Sequence, residues 1–266
     1  MRRTEAGAAV GRIELTVGTR LDLDAERRAA VDRAFAARRA ANPGLWNGPF
    51  FLFEDVALAG DHFTATARPT DYATFLDWRG RGFPGEIHTH IFPVPAVTTS
   101  DDRLLVGVMG AATANAGLAY PPSGSFDDAD VVAGRLDPVA NMGRELSEEA
   151  GIDIAGLRPD PGFVVLSSGP RRLALVKRWR SPLGAAELAS AIADHLGRER
   201  DPELAGFDFV AFERRLAPAR TVGYVNTLLG LLEASARSGG SGGIAGAAAA
   251  LSSGSESVPE TAGEPS

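Results

Sequence analysis

Apolar and polar residues alternate through positions 12–24, "RIELTVGTRLDLD", the period of a strand with one buried face that runs into a turn. Positions 25–41 switch to an Ala- and Arg-rich run of good helix formers, which Asn42-Pro43-Gly44 ends. Two apolar runs within 50–69 meet near Ala59-Gly60-Asp61 and predict a β-hairpin. A short helix is expected over 70–80, capped by Thr70 or Asp71 and closed by Gly80 and Gly82. A second segment begins near Gly85. Its 88–110 stretch holds two strand-like runs around Ser100-Asp101-Asp102, and 118–138 is rich in Pro, Gly and Asp and predicts irregular structure. A helix over about 138–150 follows, then two strand runs within 162–180, a helix at 184–197, a strand at 207–213 and a helix at 220–237.

Strands and helices therefore interleave, with no internal repeat, and the expected class is α+β. The expected division is a small α/β domain at 1–84 and a larger one at 85–237. From Ser238 the chain turns to Gly, Ala and Ser with almost no large side chain to repay the entropy of ordering, so 238–266 is expected to be a disordered tail.

Composition narrows the function classes. With 266 residues, 44% hydrophobic and 23% charged, the chain can bury a full core. A net charge of −7 argues against broad, sequence-independent nucleic-acid binding, which needs a basic surface. It leaves room for a small nucleotide beside a local Arg cluster or a bound cation. The absence of cysteine removes disulfides, thiolate–zinc sites, iron–sulfur clusters and thiol catalysis. No apolar run reaches the length of a membrane helix, and the first residues lack a continuous apolar core, so a cytoplasmic location is expected.

The chemistry concentrates in "GRELSEEAGI" at 143–152. Glu145, Glu148 and Glu149 fall within about 100° of arc on one helix face, where like charges repel by roughly 0.2–0.5 kcal/mol per exposed pair. Oxygen ligands of this kind suit Mg²⁺, which prefers carboxylates, waters and substrate phosphates. An acidic helix face is more often simply solvated, and an Arg144–Glu148 pair at i, i+4 contributes almost nothing. The order of residue types adds the missing weight.

Residues 144–152, "RELSEEAGI", resemble the core of the Nudix hydrolase signature: Arg144, Glu145, Leu146, Glu148, Glu149, Gly151 and Ile152 occupy its seven specified positions. The resemblance implies an α/β/α sandwich with a mixed sheet, preceded here by the small N-terminal domain. It implies Mg²⁺, or Mn²⁺ in its place, on Glu148 and Glu149 with help from Glu145, and Arg144 orienting a glutamate. The reaction implied is hydrolysis of a nucleoside diphosphate linked to another group. Upstream the pattern departs: the motif's glycine is matched by Gly124 only with extra residues inserted before the helix, and Asp127 or Asp128 stands where a further Glu belongs.

"NPGLWNGPFF", "TDYATFL" and the "PPSGS" loop resemble more narrowly the Nudix subgroup acting on UDP-glucose and UDP-galactose, which carries a comparable N-terminal domain, over roughly residues 12–237. That resemblance implies UMP and a sugar 1-phosphate as products. ADP-ribose, a dinucleotide polyphosphate and coenzyme A are the alternative substrates, and a nucleotide-binding module without turnover is the rival of another class. The expected partner is a small nucleotide, with neither nucleic acid nor membrane, and oligomeric state is left open.

Other residues divide between substrate contact and structure. Gly124, His90, Arg171 and Arg172 are substrate candidates, the arginines because their forks match phosphate oxygens. Lys177, Arg178 and Arg180 either join that counter-charge or flank a strand. His88 and His90 are two apart with no third ligand in view, so metal ligation by them is not expected; His195 is expected near a helix end. Trp46, Phe50, Tyr72, Phe75 and Trp78 either stack on a base or form core. Glu187, Glu199 and Glu203 are candidates for a downstream base, which must reach the attacking water.

Overall fold

The computed structural model describes residues 7–85, 88–111, 113, 115–200, 202–239 and 242–254. The chain begins with β1 (Ala8–Val10), β2 (Arg12–Val17), α1 (Ala25–Ala41), β3 (Pro49–Ala59), β4 (His62–Asp71) and α2 (Tyr72–Gly80). It continues through β5 (His90–Thr98), β6 (Arg103–Met109), β7 (Ala119–Tyr120), β8 (Val131–Val132), β9 (Arg135–Leu136) and α3 (Pro138–Ala150). Then come β10 (Arg158–Pro159), β11 (Phe163–Ser167), β12 (Arg172–Arg180), α4 (Ala185–Leu196), β13 (Leu204–Ala211), α5 (Val225–Arg237) and α6 (Gly243–Gly254).

The strands form two mixed sheets. The larger runs β1-β11-β12-β5-β6-β13, with β10 beside β12 and β7 beside β6, and its β12–β5 pair is parallel while its other pairs are antiparallel. The smaller runs β3-β4-β2-β9-β8, with β2 and β4 parallel. Each half of the chain lends strands to the other: β1 pairs with β11, and β9 pairs with β2.

Period-two alternation sorts the larger sheet's side chains onto two covered faces. Phe92, Val94, Ala96, Ala174 and Val176 pack under α5 and α6. The opposite face carries Val97, Leu105 and Trp179 under α3 and α4, and Ile91, Val165 and Leu175 against Leu15, Phe51, Phe53 and Phe63 of the smaller sheet. The α+β class and the α/β/α sandwich expected from the sequence are thus present, and the smaller sheet shares a face of the larger one with α3. No helix among the described residues is long and apolar enough to cross a membrane.

The expected tail needs correction. Within 238–266, residues Gly243–Gly254 form α6, and Ile244, Ala247 and Ala248, at i, i+3 and i+4, are buried against the larger sheet and α5. Small side chains lose little entropy on ordering and alanine has the best helix propensity, and burial of Ile244, Ala247 and Ala248 on the larger sheet and α5 adds to the backbone hydrogen bonds of the helix where composition alone suggested disorder. Positions 255–266 lie outside the described residues. One boundary also moves inward: the helix expected from 220 starts at Val225.

Candidate active site

Helix α3 is held at both ends by its own sequence. Asp137 accepts from the amides of Val139 and Ala140, with Pro138 in the first turn. Gly151 ends it at φ +66, its amide donating to Ser147 and that of Ile152 to Leu146. The side chain of His195 packs against Gly151, so any Cβ there meets the imidazole as well as an unfavourable φ. Between the caps, Met142, Leu146 and Ala150 face the core, and Glu145 and Glu149 lie along the edge of the same buried stripe.

Those two carboxylates line a cavity of about 800 Å³ at the junction of the two sheets. Residues from both halves wall it: Trp46, Phe50, Tyr72 and Arg79 from the first, and His90, Tyr120, Gly124, Arg172, Glu203 and Tyr224 from the second. Glu145 is pushed up to about 7 by burial, which Arg144 opposes and Glu148, Glu203 and Asp130 reinforce. Glu149 is pushed up to about 9 by burial, then by the charges of Glu145 and Glu203. Its Oε2 is buried with no hydrogen-bond partner. Gly124 lies against the carboxylate of Glu145, where a Cβ would collide with it.

Glu148 does not share this wall. It lies 100° around the helix from Glu149, its side chain is 60% exposed, and its Oε2 accepts from Arg144 Nη1 at 3.2 Å. Of the three glutamates expected on one face, two are thus buried carboxylates and the third pairs with Arg144 at the rim. Arg144 also reaches Glu145 Oε1 at 2.8 Å, the buried Asp130 at 3.2 Å and Asp127 at 3.5 Å. Burial alone would lower its pKa, but Glu145 and Asp130 outweigh that and raise it. Asp127 lines the cavity beside Arg144; Asp128 does not line it.

Of the three downstream glutamates, the structure brings only Glu203 to the cavity, ahead of β13. Its pKa is raised by burial and by Glu148. Glu187 caps α4 through the Gly184 amide, and Glu199 sits 3.6 Å from His195. His195, whose Nε2 meets the Glu148 carbonyl at 3.1 Å, belongs to the α3–α4 packing. These assignments are spatial and had no signal in spacing.

Burial first, then the charges of Arg172 and Arg79, hold His90 well below the usual histidine range, so it is neutral; its Nε2 lies 3.2 Å from Ser125 Oγ. His88 lies away from the cavity, edge-on to Trp78, and its pKa is lowered by burial. Arg172 lines the cavity with its guanidinium 5.5 Å from the Phe92 ring, whereas Arg171, at φ +54 in the preceding turn, does not. The counter-charge reading of the next three cations is corrected. Lys177 donates to the carbonyls of Asp160 and Gly162, buried Arg178 to Thr98 Oγ1 at 2.9 Å, and Arg180 to Asp160 at 2.6 Å. They secure β12 to its neighbours.

Among the aromatic candidates, Phe50, Phe75 and Trp78 are core and Tyr72 packs against them, while Trp46 is 74% exposed at the cavity's edge. Arg79, absent from the sequence-based set, enters from α2; its Nη2 donates to Asn115 Oδ1 at 3.2 Å, and Asn115 donates to Tyr120 Oη at 3.1 Å.

The donor chemistry at the acidic end fits a hard divalent cation: buried carboxylate oxygens that repel one another, one of them without a partner. Among the described residues no set of three or more His, Cys, Asp or Glu side chains is already arranged to hold a metal ion.

No family model matches the chain, and no curated protein matches it. Among solved structures it is similar to a MutT protein from Methanosarcina mazei Go1, at 14% identity over 55% of this chain and 93% of that one, with a TM-score of 0.36. It is similar to a bifunctional NMN adenylyltransferase/ADP ribose pyrophosphatase from Francisella tularensis, crystallised with AMP and a manganese ion. That match has 11% identity over 60% of this chain and 46% of the other, with a TM-score of 0.39. It is similar also to the NUDIX domain of Shewanella oneidensis NrtR in complex with ADP ribose, at 12% identity over 61% and 96% of the two chains, with a TM-score of 0.35.

Proposed function

We propose that this protein is a divalent-metal-dependent hydrolase of the Nudix type, cleaving the diphosphate of a nucleoside diphosphate linked to another group. UDP-glucose or UDP-galactose is the substrate proposed, with UMP and sugar 1-phosphate as products. One observation carries the reading: the two glutamates of the "RELSEEAGI" motif that face inward are desolvated and mutually repelling, with a partnerless oxygen, in a cavity within the 300–1,000 Å³ range of ligand sites.

Glu145 and Glu149 would hold the cation, which when bound polarises a phosphoryl oxygen and offsets the diphosphate charge. Arg144 fixes the rotamer of Glu145 through its 2.8 Å contact and is itself fixed by Asp130. Water is the nucleophile: its oxygen bonds to phosphorus, the bond from that phosphorus to the bridging oxygen breaks, and the water's proton passes to a base. Glu203 is suited to take it, because it enters from outside α3 and its raised pKa brings it nearer the working pH. Neutral His90 offers the substrate a hydrogen-bonding nitrogen, and exposed Trp46 offers a nucleobase a ring face. The Tyr72–Phe75–Phe50 stack supports the wall next to it.

The test is product analysis by chromatography and ³¹P NMR for UDP-glucose, UDP-galactose, ADP-ribose, a dinucleotide polyphosphate and coenzyme A, each with Mg²⁺ or Mn²⁺. UMP release from the UDP-sugars, lost at least 100-fold in Glu149→Gln, is expected. No turnover of any member of the panel, or full turnover by a Glu145→Gln, Glu149→Gln double variant, overturns the proposal.

A further inference from the structure

The cavity that holds Glu145, Glu149 and Glu203 is also lined by two arginines. Arg79 reaches it from α2, beside the smaller sheet, and Arg172 from the first position of β12 in the larger one. The chain has 34 acidic residues against 27 Lys and Arg, and most of its partly buried arginines pair with a carboxylate: Arg27, Arg28, Arg68, Arg144 and Arg180 all do. Among the described residues, neither Arg79 nor Arg172 makes such a pair. Arg172 Nε is buried without a hydrogen-bond partner, its guanidinium set over the Phe92 ring. Arg79 is held by one neutral amide, Asn115. His90 lines the same stretch with Nδ1 unpartnered.

We propose that Arg79 and Arg172 form an anion clamp, one guanidinium from α2 and one from β12, that takes a phosphate group of the ligand and ties the two halves of the molecule together around it. Two like charges in a partly desolvated wall are unfavourable unless an anion joins them, and guanidinium forks match phosphate oxygens in geometry. Burial and then the charge of Arg79 depress the pKa of Arg172, and burial, then the charges of Arg172 and Arg79, lower that of His90; the part due to repulsion is relieved when an anion binds. The clamp takes one phosphate of the ligand on the arginine side of the cavity and leaves its neighbour to the cation on Glu145 and Glu149. Naming the anion as a nucleotide's phosphate rests on the proposed function; the presence of an anion site does not.

The experiment is calorimetric titration of the full chain in EDTA with UMP, pyrophosphate and uridine, on wild type, Arg79→Gln, Arg172→Gln and Arg79→Lys, with melting of each unliganded protein. UMP and pyrophosphate are expected to bind at least 10-fold more weakly to each Gln variant, with uridine unaffected and Arg79→Lys intermediate. The unliganded Gln variants should melt at or above wild type, since a repelling charge has been removed, whereas a purely structural arginine would leave a less stable protein. UMP and pyrophosphate affinities unchanged in both Gln variants, or uridine weakened as much as UMP, overturns the clamp. No bond is cut in this assay, so inactivity across the substrate panel with the clamp intact would count against the hydrolase alone.

Discussion

Replacing Glu149 by glutamine should stabilise the metal-free protein at alkaline pH. Unfolded, Glu149 ionises near 4.5; folded, burial and the charges of Glu145 and Glu203 raise it to about 9. Between those values the unfolded chain releases a proton that the native state retains, so stability falls as pH rises and levels off above about 9. At pH 8 that interval spans about 3.5 pH units at about 1.4 kcal/mol each, an upper bound of about 5 kcal/mol. The residue is 7% exposed and solvent shares part of its charge, so about half the bound, on the order of 2–3 kcal/mol, is the expected gain. Glutamine has nearly the same shape, stays neutral and removes no hydrogen bond from Oε2, which has none. For a chain of this size that corresponds to roughly 5–10 °C in melting temperature. Scanning calorimetry in EDTA at pH 5, 6.5 and 8 measures it: the gain should be large at pH 8 and nearly gone at pH 5. A variant that melts at or below wild type at pH 8, or gains equally at pH 5, refutes the reasoning.

Mn²⁺ binding should strengthen from pH 6 to pH 9, because the cation must displace the protons that Glu145 and Glu149 retain up to about 7 and about 9. Titration in two buffers of different ionisation enthalpy should show net proton release at pH 7.5; none would contradict the assignment of these ligands. Gly124→Ala should keep the fold, since Gly124 has no positive φ, yet displace the Glu145 carboxylate it would strike. A shift of about 1 Å at such a group costs on the order of 100-fold in rate, so turnover should fall at least 10-fold with circular dichroism unchanged, and unaltered turnover would refute the contact.

The caps of α3, the period of its apolar stripe and the alternation in β5 and β12 are written within a few residues of each other, and the sequence by itself determined them. The spacing of Glu145, Glu148 and Glu149 was equally local, and so was the match of residue types around them. Which of the three is desolvated was not, because that depends on the smaller sheet and the Gly124 loop closing over one side of the helix. Glu203 and Arg79 are brought beside α3 and β12 from positions far away in the chain, and no periodicity links them. Whether Arg178 and Arg180 meet phosphate or flank a strand is decided by Thr98 and Asp160 next to them, and α6 read as tail until Ile244, Ala247 and Ala248 met the sheet. Caps, turns and side-chain period are set by near neighbours in sequence. Burial and the meeting of charges belong to the assembled structure, so the site's pKa shifts and the gathering of Glu145, Glu149, Glu203, Arg79 and Arg172 around one cavity were decided there.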